Sequence, residues 1–424
     1  MSKKGFETLQ LHGGEYVDPI YGAATMPIYQ TTSYIYPSAE HAASVFLRER
    51  PGYVYTRIDN PTVDLLEKRL TALEDGKASI AFASGMAAIA ATVNALCSPG
   101  DEFISASNIY GGTYTLFSAR LPQCNNIHCH FVDPDDFEKI ESHINEKTKF
   151  IYIEVLGNPN INIPDFEKIS AIAKKHGLPL VCDNTFSTPY LAQLKKYGVD
   201  IIVTSLTKYC GGHGTSIGGA VTDLGTFNWH NNRFKSFTEP DPSNHDLVYA
   251  ELYAPFASKV RTQILRDMGA CISPFNAFLI MQGIETLSLR MERHCENTLK
   301  VAEFLEAHPN VAWVNYPALK SNKYHDRALK YLPKGVGAIL SFGVKGGLEA
   351  GKKFINSLEL FSLLANVADA KSLVIHPAST THGQLNEEEL KIANVPPEMI
   401  RLSVGLETID DILNDLDKAL NKIN

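Results

Sequence analysis

The stretch TSLTKYCGGHG, Thr204 to Gly214, follows a short apolar run and sets one lysine among hydroxyls and glycines. Lys208 is there either as a surface charge or as a reactive amine. A lysine partly withdrawn from water loses its preference for the charged form, and the neutral amine can condense with a carbonyl to an imine. Ser205 and Thr207, spaced by one residue, can bond the same anion, and glycines at 211, 212 and 214 keep the nearby backbone slim. Asp183 closes the apolar run LPLVCD; a carboxylate at the end of a buried strand needs a partner, because isolated burial is very costly. A protonated ring nitrogen is one such partner. Ser84, Gly85 and Met86 follow ASIAFA at a helix start, where open N–H groups and the helix dipole favour an anion such as phosphate. Each feature alone also has an ordinary reading: Ser84 as a helix cap, Asp183 as a turn carboxylate, Lys208 as a surface lysine. Together they read as phosphate cradle, pyridinium partner and Schiff-base lysine, the set that pyridoxal 5'-phosphate requires.

These side chains serve one site only if strands and helices deliver them to one place. TVDLLEKRLTALE has apolar residues at helical spacing, and ASIAFA (Ala78 to Ala83) is a short buried strand. SGMAAIAATVNALCSPGD predicts a helix closed by Pro99 and Gly100. FIYIEV, LPLVCD and DIIVTS read as further strands, with the amphipathic helix PDFEKISAIAKKHG between the first two. Near-continuous apolar strands separated by helices predict an α/β fold with a large, mostly parallel sheet covered on both faces. In such sheets ligands sit at the carboxyl ends of strands, where the residues above fall. Residues 1–62 show little periodicity and read as an extended N-terminal arm. Residues 63–289 form the large domain, with a turn-rich, aromatic insertion or lid at about 227–288. Residues 290–424 form a smaller C-terminal α/β domain ending in the helix DDILNDLDKALNKIN.

The bulk properties narrow the class. The 424 residues carry a formal net charge of -8, which argues against nucleic acid as the main partner, since phosphate backbones select a basic face. Seven scattered cysteines without a C-x-x-C pair suit reduced thiols in a cytoplasmic protein, and Cys210 beside the lysine motif reads as inert. The N-terminal MSKKGFETLQLHGGEY lacks the apolar stretch of a secretory signal, and no run is long enough to predict a membrane span. His213, His376 and His382 lack metal-ligand spacing, so no metal is expected. GGLEAGKKF approaches a phosphate-binding loop, but Lys353 replaces the required Ser or Thr, so it reads as a helix start.

The order of YTRIDNPT, ASGMAAI, YGGTY, CDNTFSTPY, SLTKYCGGHG and HPASTTH resembles the Cys/Met-metabolism group of pyridoxal-phosphate enzymes. The match runs over essentially the whole chain, from FETLQLHGG to RLSVGLE. The segments FTEPDPSNHDLVY and LRDMGACISPFNAFLIMQGIETLSLRMERHCENT resemble the longer middle of the group's sulfhydrylase branch, which the shorter gamma-synthases and beta-lyases generally lack. The resemblance implies a fold-type-I, aspartate-aminotransferase-like transferase using pyridoxal 5'-phosphate. It implies that Lys208 carries the cofactor and moves protons, that Asp183 pairs with the pyridine nitrogen, and that Asn158 faces the phenolic oxygen. Ser84, Gly85, Met86, Ser205 and Thr207 would hold the phosphate, and Tyr110 would stack on the ring and assist proton transfer. Tyr55 and Arg57 on the arm would reach a neighbouring subunit's cofactor, with Tyr55 also near substrate. Arg401 would grip the substrate carboxylate, with Ser372 beside it. Without the resemblance Tyr55 and Tyr110 are ordinary half-buried aromatics, and Arg57 and Arg401 surface charges.

The implied reaction is gamma-replacement in methionine biosynthesis: O-acetyl-L-homoserine and a sulfur donor give L-homocysteine and acetate. The implied assembly is a homotetramer, a dimer of dimers with shared active sites. Other activities of the group remain alternatives, namely methionine gamma-lyase, cystathionine gamma-synthase or lyase and O-succinylhomoserine sulfhydrylase. A non-catalytic binding protein on the same fold is the remote one.

Overall fold

Two sheets organise the chain in the computed structural model, which describes residues 4–47, 49–158, 160–380 and 396–423. The first contains β1 (Ala78–Phe82), β2 (Glu102–Ala106), β3 (His128–Val132), β4 (Thr148–Glu154), β5 (Leu180–Asp183), β6 (Ile201–Thr204) and β7 (Gly219–Asp223), in the order β1-β7-β6-β5-β4-β2-β3. The pairs from β6 across to β3 are parallel, as expected, whereas β7 runs antiparallel to both β6 and β1. The sheet is therefore mixed. β2, β3 and β7 were not among the expected strands: β7 begins at a glycine, and β3 (HCHFV) interrupts its apolar residues with histidines. The central strands β5 and β6 are buried along their whole length, which is why they appear in the sequence as unbroken apolar runs.

Helix α3 (Pro61–Leu73) opens with Pro61 and is capped by Asn60, whose side chain accepts the Thr62 N–H at 3.0 Å. Helix α4 (Gly85–Leu96) is capped by Ser84 and stops before Pro99, with Cys97 already extended. The arm is less irregular than expected. It contains the helices α1 (Phe6–His12) and α2 (Ala39–Phe46), too short to show as periodic sequence. Gln10 of α1 exchanges hydrogen bonds with Ser288, and Arg69 of α3 donates to the carbonyls of Gln10 and Gly13, each at 2.7 Å. The arm's start thus lies on the main body. Farther along, Val17, Tyr21 and Ile35 project into solvent.

In the middle segment Phe227, Trp229, Phe234, Phe237 and Phe256 pack as an aromatic cluster, with Trp229 stacked on Phe237 at 3.9 Å. Position 290 falls within the continuous helix Leu287–Ala307, so a helix rather than a linker leads to the second sheet. That sheet contains β8 (Val311–Asn315), β9 (Ile339–Val344), β10 (Ser362–Leu363), β11 (Leu373–Ile375) and β12 (Met399–Ser403), in the order β10-β11-β12-β9-β8. The final helix, Ile409–Asn421, buries Ile412, Leu416, Ala419 and Leu420, the spacing of one helical face. The GGLEAGKKF stretch begins the helix Gly347–Ser357. Among the described residues no helix is long and apolar enough to cross a membrane.

Candidate active site

Adjacent parallel strands bring the first groups together. Asp183 ends β5 and is buried; its carboxylate accepts the Thr185 N–H at 2.9 Å and the Tyr152 hydroxyl at 3.2 Å. Thr185 in turn accepts the Ser205 N–H at 2.8 Å, which ties the turn after β5 to the turn after β6. Beside Asp183, in register on β4, lies the buried carboxyl of Glu154, which accepts the Tyr110 N–H at 2.8 Å. Burial pushes both carboxyls above the usual range, and the charge of Asp183 adds to the effect on Glu154. Neither has a cationic partner among the described residues. A buried carboxylate held only by neutral donors is suited to a ligand's cationic nitrogen, so Asp183 fits a pyridinium partner.

The anion end is built by close backbone approach. A Cβ on Gly85 would stand 2.7 Å from Ser205 Cβ, and one on Gly219 would stand 2.1 Å from the Ser84 carbonyl oxygen. The start of α4 therefore lies directly against the Ser205 turn because these two positions lack side chains. Ser84 Oγ caps the Ala87 N–H at 3.1 Å, while the first N–H groups of α4 have no intrahelical acceptor. Thr207 Oγ1 is paired with both the carbonyl and the N–H of Gly218, each at 3.1 Å. Ser84, Gly85, Met86 and Ser205 thus form one rim whose open N–H groups and Ser205 hydroxyl are donors of the kind a phosphate takes, while the Thr207 hydroxyl is engaged by Gly218.

Lys208 lies between the sheets. Burial lowers its pKa to about 8, with the Arg401 charge contributing in the same direction. Its ammonium donates to Asn366 Oδ1 on the loop before β11. Arg401 on β12 donates to Asn158 Oδ1 at 3.1 Å; burial lowers its pKa to about 10, opposed by Tyr110. Two desolvated cations, without a carboxylate ion-paired to either among the described residues, make a site for an anionic group.

Of the residues expected from sequence, Lys208, Asp183, Asn158, Arg401, Tyr110 and the Ser84–Thr207 rim converge here. Ser372 is joined to them by no described contact. It is fully buried, its hydroxyl donating to Glu407 at 2.9 Å and accepting the Gly405 N–H at 2.9 Å. That bracing arises because the chain after β12 passes directly over it, which the local sequence cannot show. Tyr55 and Arg57 contact one another, with the guanidinium 5.5 Å from the ring centroid, and no described contact joins them to Lys208. His382 and the end of HPASTTH lie outside the described residues. Asn366 and Glu154 were missed: both partnerships span distant segments, and the only sequence signal was a polar residue within or ending an apolar run. Cys210 is buried, which pushes its thiol up to about 12 and leaves it unreactive.

Comparison with known proteins places this geometry in context. The family model for Cys/Met metabolism PLP-dependent enzymes matches residues 7–421. An O-acetyl-L-homoserine sulfhydrylase of Leptospira meyeri is 52% identical, the match covering 98% of this chain and 97% of that protein. A homocysteine synthase of Schizosaccharomyces pombe is 48% identical over 98% of each. A crystal structure described as an O-acetylhomoserine (thiol)-lyase from Campylobacter jejuni, containing N'-pyridoxyl-lysine-5'-monophosphate, superposes with a TM-score of 0.95. It is 44% identical, with 99% of this chain and 100% of that chain covered.

Proposed function

The chain belongs to the Cys/Met metabolism family of PLP-dependent enzymes, with the fold-type-I architecture of that family, and within it we propose a gamma-replacement that makes L-homocysteine and acetate from O-acetyl-L-homoserine and sulfide. The observation that carries this reading is Lys208, an amine of lowered pKa facing Asn366 and Arg401 and reached from β6 beside Asp183. The names of the similar proteins supply the substrate class.

Bound pyridoxal phosphate supplies an electron sink for negative charge formed at the substrate's alpha carbon. The rim of Ser84, Gly85, Met86, Ser205 and Thr207 would hold the phosphate. Asp183 would keep the ring nitrogen protonated, and Asn158 would face the phenolic oxygen. Tyr110 would stack on the ring, and Arg401 would grip the substrate carboxylate as a planar fork. Lys208 takes the alpha proton and later returns it, for which an amine with a pKa of about 8 is well matched at neutral pH. Asn366 orients that amine. A beta proton is then taken, acetate leaves the gamma carbon with the C–O bond pair, the sulfur nucleophile adds there, and protons return to the beta and alpha carbons.

Tyr55 and Arg57 would complete the cofactor site of a neighbouring copy, in a cytoplasmic tetramer made of two such dimers. The outward Val17, Tyr21 and Ile35 of the arm support a contact with another copy. The same reading divides the chain near residues 62 and 289. The test is a panel with the purified, pyridoxal-phosphate-loaded protein, offering O-acetyl-L-homoserine, O-succinyl-L-homoserine, methionine and cystathionine, each with sulfide. Homocysteine should form fastest from the acetyl ester. Faster turnover of the succinyl ester, or elimination from methionine without homocysteine synthesis, would overturn the assignment.

A further inference from the structure

We propose that Gly112 and Glu154 are positioning residues that together seat the Tyr110 ring, Glu154 by gripping its main chain and Gly112 by leaving the ring room. This rests on the reading of Tyr110 as the ring that lies over the cofactor. Tyr110 immediately precedes the short helix Gly111–Thr115. Its N–H donates to Glu154 Oε1 at 2.8 Å, and Glu154 is a buried residue at the end of β4. The main chain of Tyr110 is thus fixed to the rigid sheet and not merely to its own loop.

The side chain is constrained separately. A Cβ on Gly112 would stand 2.6 Å from Tyr110 Cε1, 3.1 Å from Cζ and 3.3 Å from the phenolic oxygen. The hydroxyl-bearing edge of the ring therefore folds back over Gly112, in space that any other residue would fill. The neighbouring Gly111 provides a contrast, since a Cβ there would meet nothing within 4 Å other than its own chain neighbours and helix backbone. Neither glycine has a positive φ, so neither position needs glycine's backbone freedom. What Gly112 contributes is the missing methyl. Tyr110 is half-exposed and its ring can rotate away, so a methyl at 112 would displace the ring rather than the backbone.

The experiment compares Gly111→Ala, Gly112→Ala, Glu154→Ala, Glu154→Gln, Tyr110→Ala and the Tyr110→Ala/Gly112→Ala pair in the pyridoxal-phosphate-loaded enzyme. It measures kcat/KM, Tm and the dissociation constant of pyridoxal phosphate from its visible absorbance. Gly112→Ala should keep or raise Tm, because alanine is the better helix former. It should nevertheless lose about tenfold or more in kcat/KM and bind pyridoxal phosphate more weakly. Gly111→Ala should match the parent. Glu154→Ala, which leaves the Tyr110 N–H without its acceptor, should lose kcat/KM and cofactor affinity in the same direction as Gly112→Ala. Glu154→Gln, whose amide oxygen can still accept that N–H, should restore part of the loss; parental values in Glu154→Ala would overturn its role. In the Tyr110→Ala background, Gly112→Ala should cost nothing further. Full activity and cofactor affinity in Gly112→Ala beside a damaged Tyr110→Ala would overturn the seating role, as would an undiminished Gly112→Ala effect in the double variant. An undamaged Tyr110→Ala would instead remove the reading of Tyr110, and the proposal with it.

Discussion

Asp183 and Lys208 on the large sheet, and Asn366 and Ser372 beside the small one, were all expected at or found near one site, but their side chains are directed by different physical routes. Asp183 ends β5, where the pleat and the parallel register set its direction, and Lys208 stands in the turn that directly follows β6; both strands are buried on every residue. The second two lie on the irregular segment before β11. There Ala368 adopts a positive φ of 63°, and its N–H is held by Ser403 Oγ at 2.7 Å. On such a segment the backbone conformation, rather than a repeating pattern, decides which polar side chain faces inward. Asn366 reaches Lys208, whereas Ser372 turns to Glu407 and Gly405. The strand ends deliver chemistry by periodicity, and the loop delivers it by tertiary contact.

Substitutions can break or sharpen that contrast. The largest effect is expected at Asp183. Removing one partner of a buried charge pair costs about 3–5 kcal/mol, so Asp183→Ala should lower kcat/KM about a thousandfold and weaken pyridoxal-phosphate binding. Unchanged kinetics would remove its pyridinium role. Asn366→Ala should have a smaller effect, roughly tenfold on kcat, with a shift in pH profile. Its Oδ1 accepts from the Lys208 amine, and that bond favours the charged form. Its loss should lower the Lys208 pKa further below about 8 and move the acid limb of kcat to lower pH. A limb that stayed in place would mean that Asn366 does not act on the lysine. Ser372→Ala is expected to affect activity least: KM should stay within about twofold, while stability should fall by about 1–3 kcal/mol because Glu407 and the Gly405 N–H lose a partner. A large rise in KM with unchanged Tm would return Ser372 to the substrate carboxylate.

The contrast also explains what was legible in the sequence. Strand ends at Asp183 and Thr204 and the capped start at Ser84 could be anticipated because burial and period fix them locally. The antiparallel course of β7 could not, since a five-residue strand beginning with glycine has no directional signature. Helices α1 and α2 were hidden by their length, and α1 is held by Arg69 and Ser288 from distant segments. Glu154 stood inside an expected strand, but its bond to the Tyr110 N–H depends on a partner 44 residues away. Polar residues whose roles arise from such long-range pairs leave no periodic trace.

The central claim is that Lys208 is the reactive amine, and Lys208→Ala tests it most directly. The variant should be purified in pyridoxal phosphate, then assayed for homocysteine formation from O-acetyl-L-homoserine and sulfide and for the visible absorbance of lysine-bound cofactor. A folded protein with the parent's Tm, without that absorbance and with turnover reduced at least about a thousandfold, is the predicted result. Homocysteine synthesis near the parental rate, or an unchanged absorbance band, would contradict it.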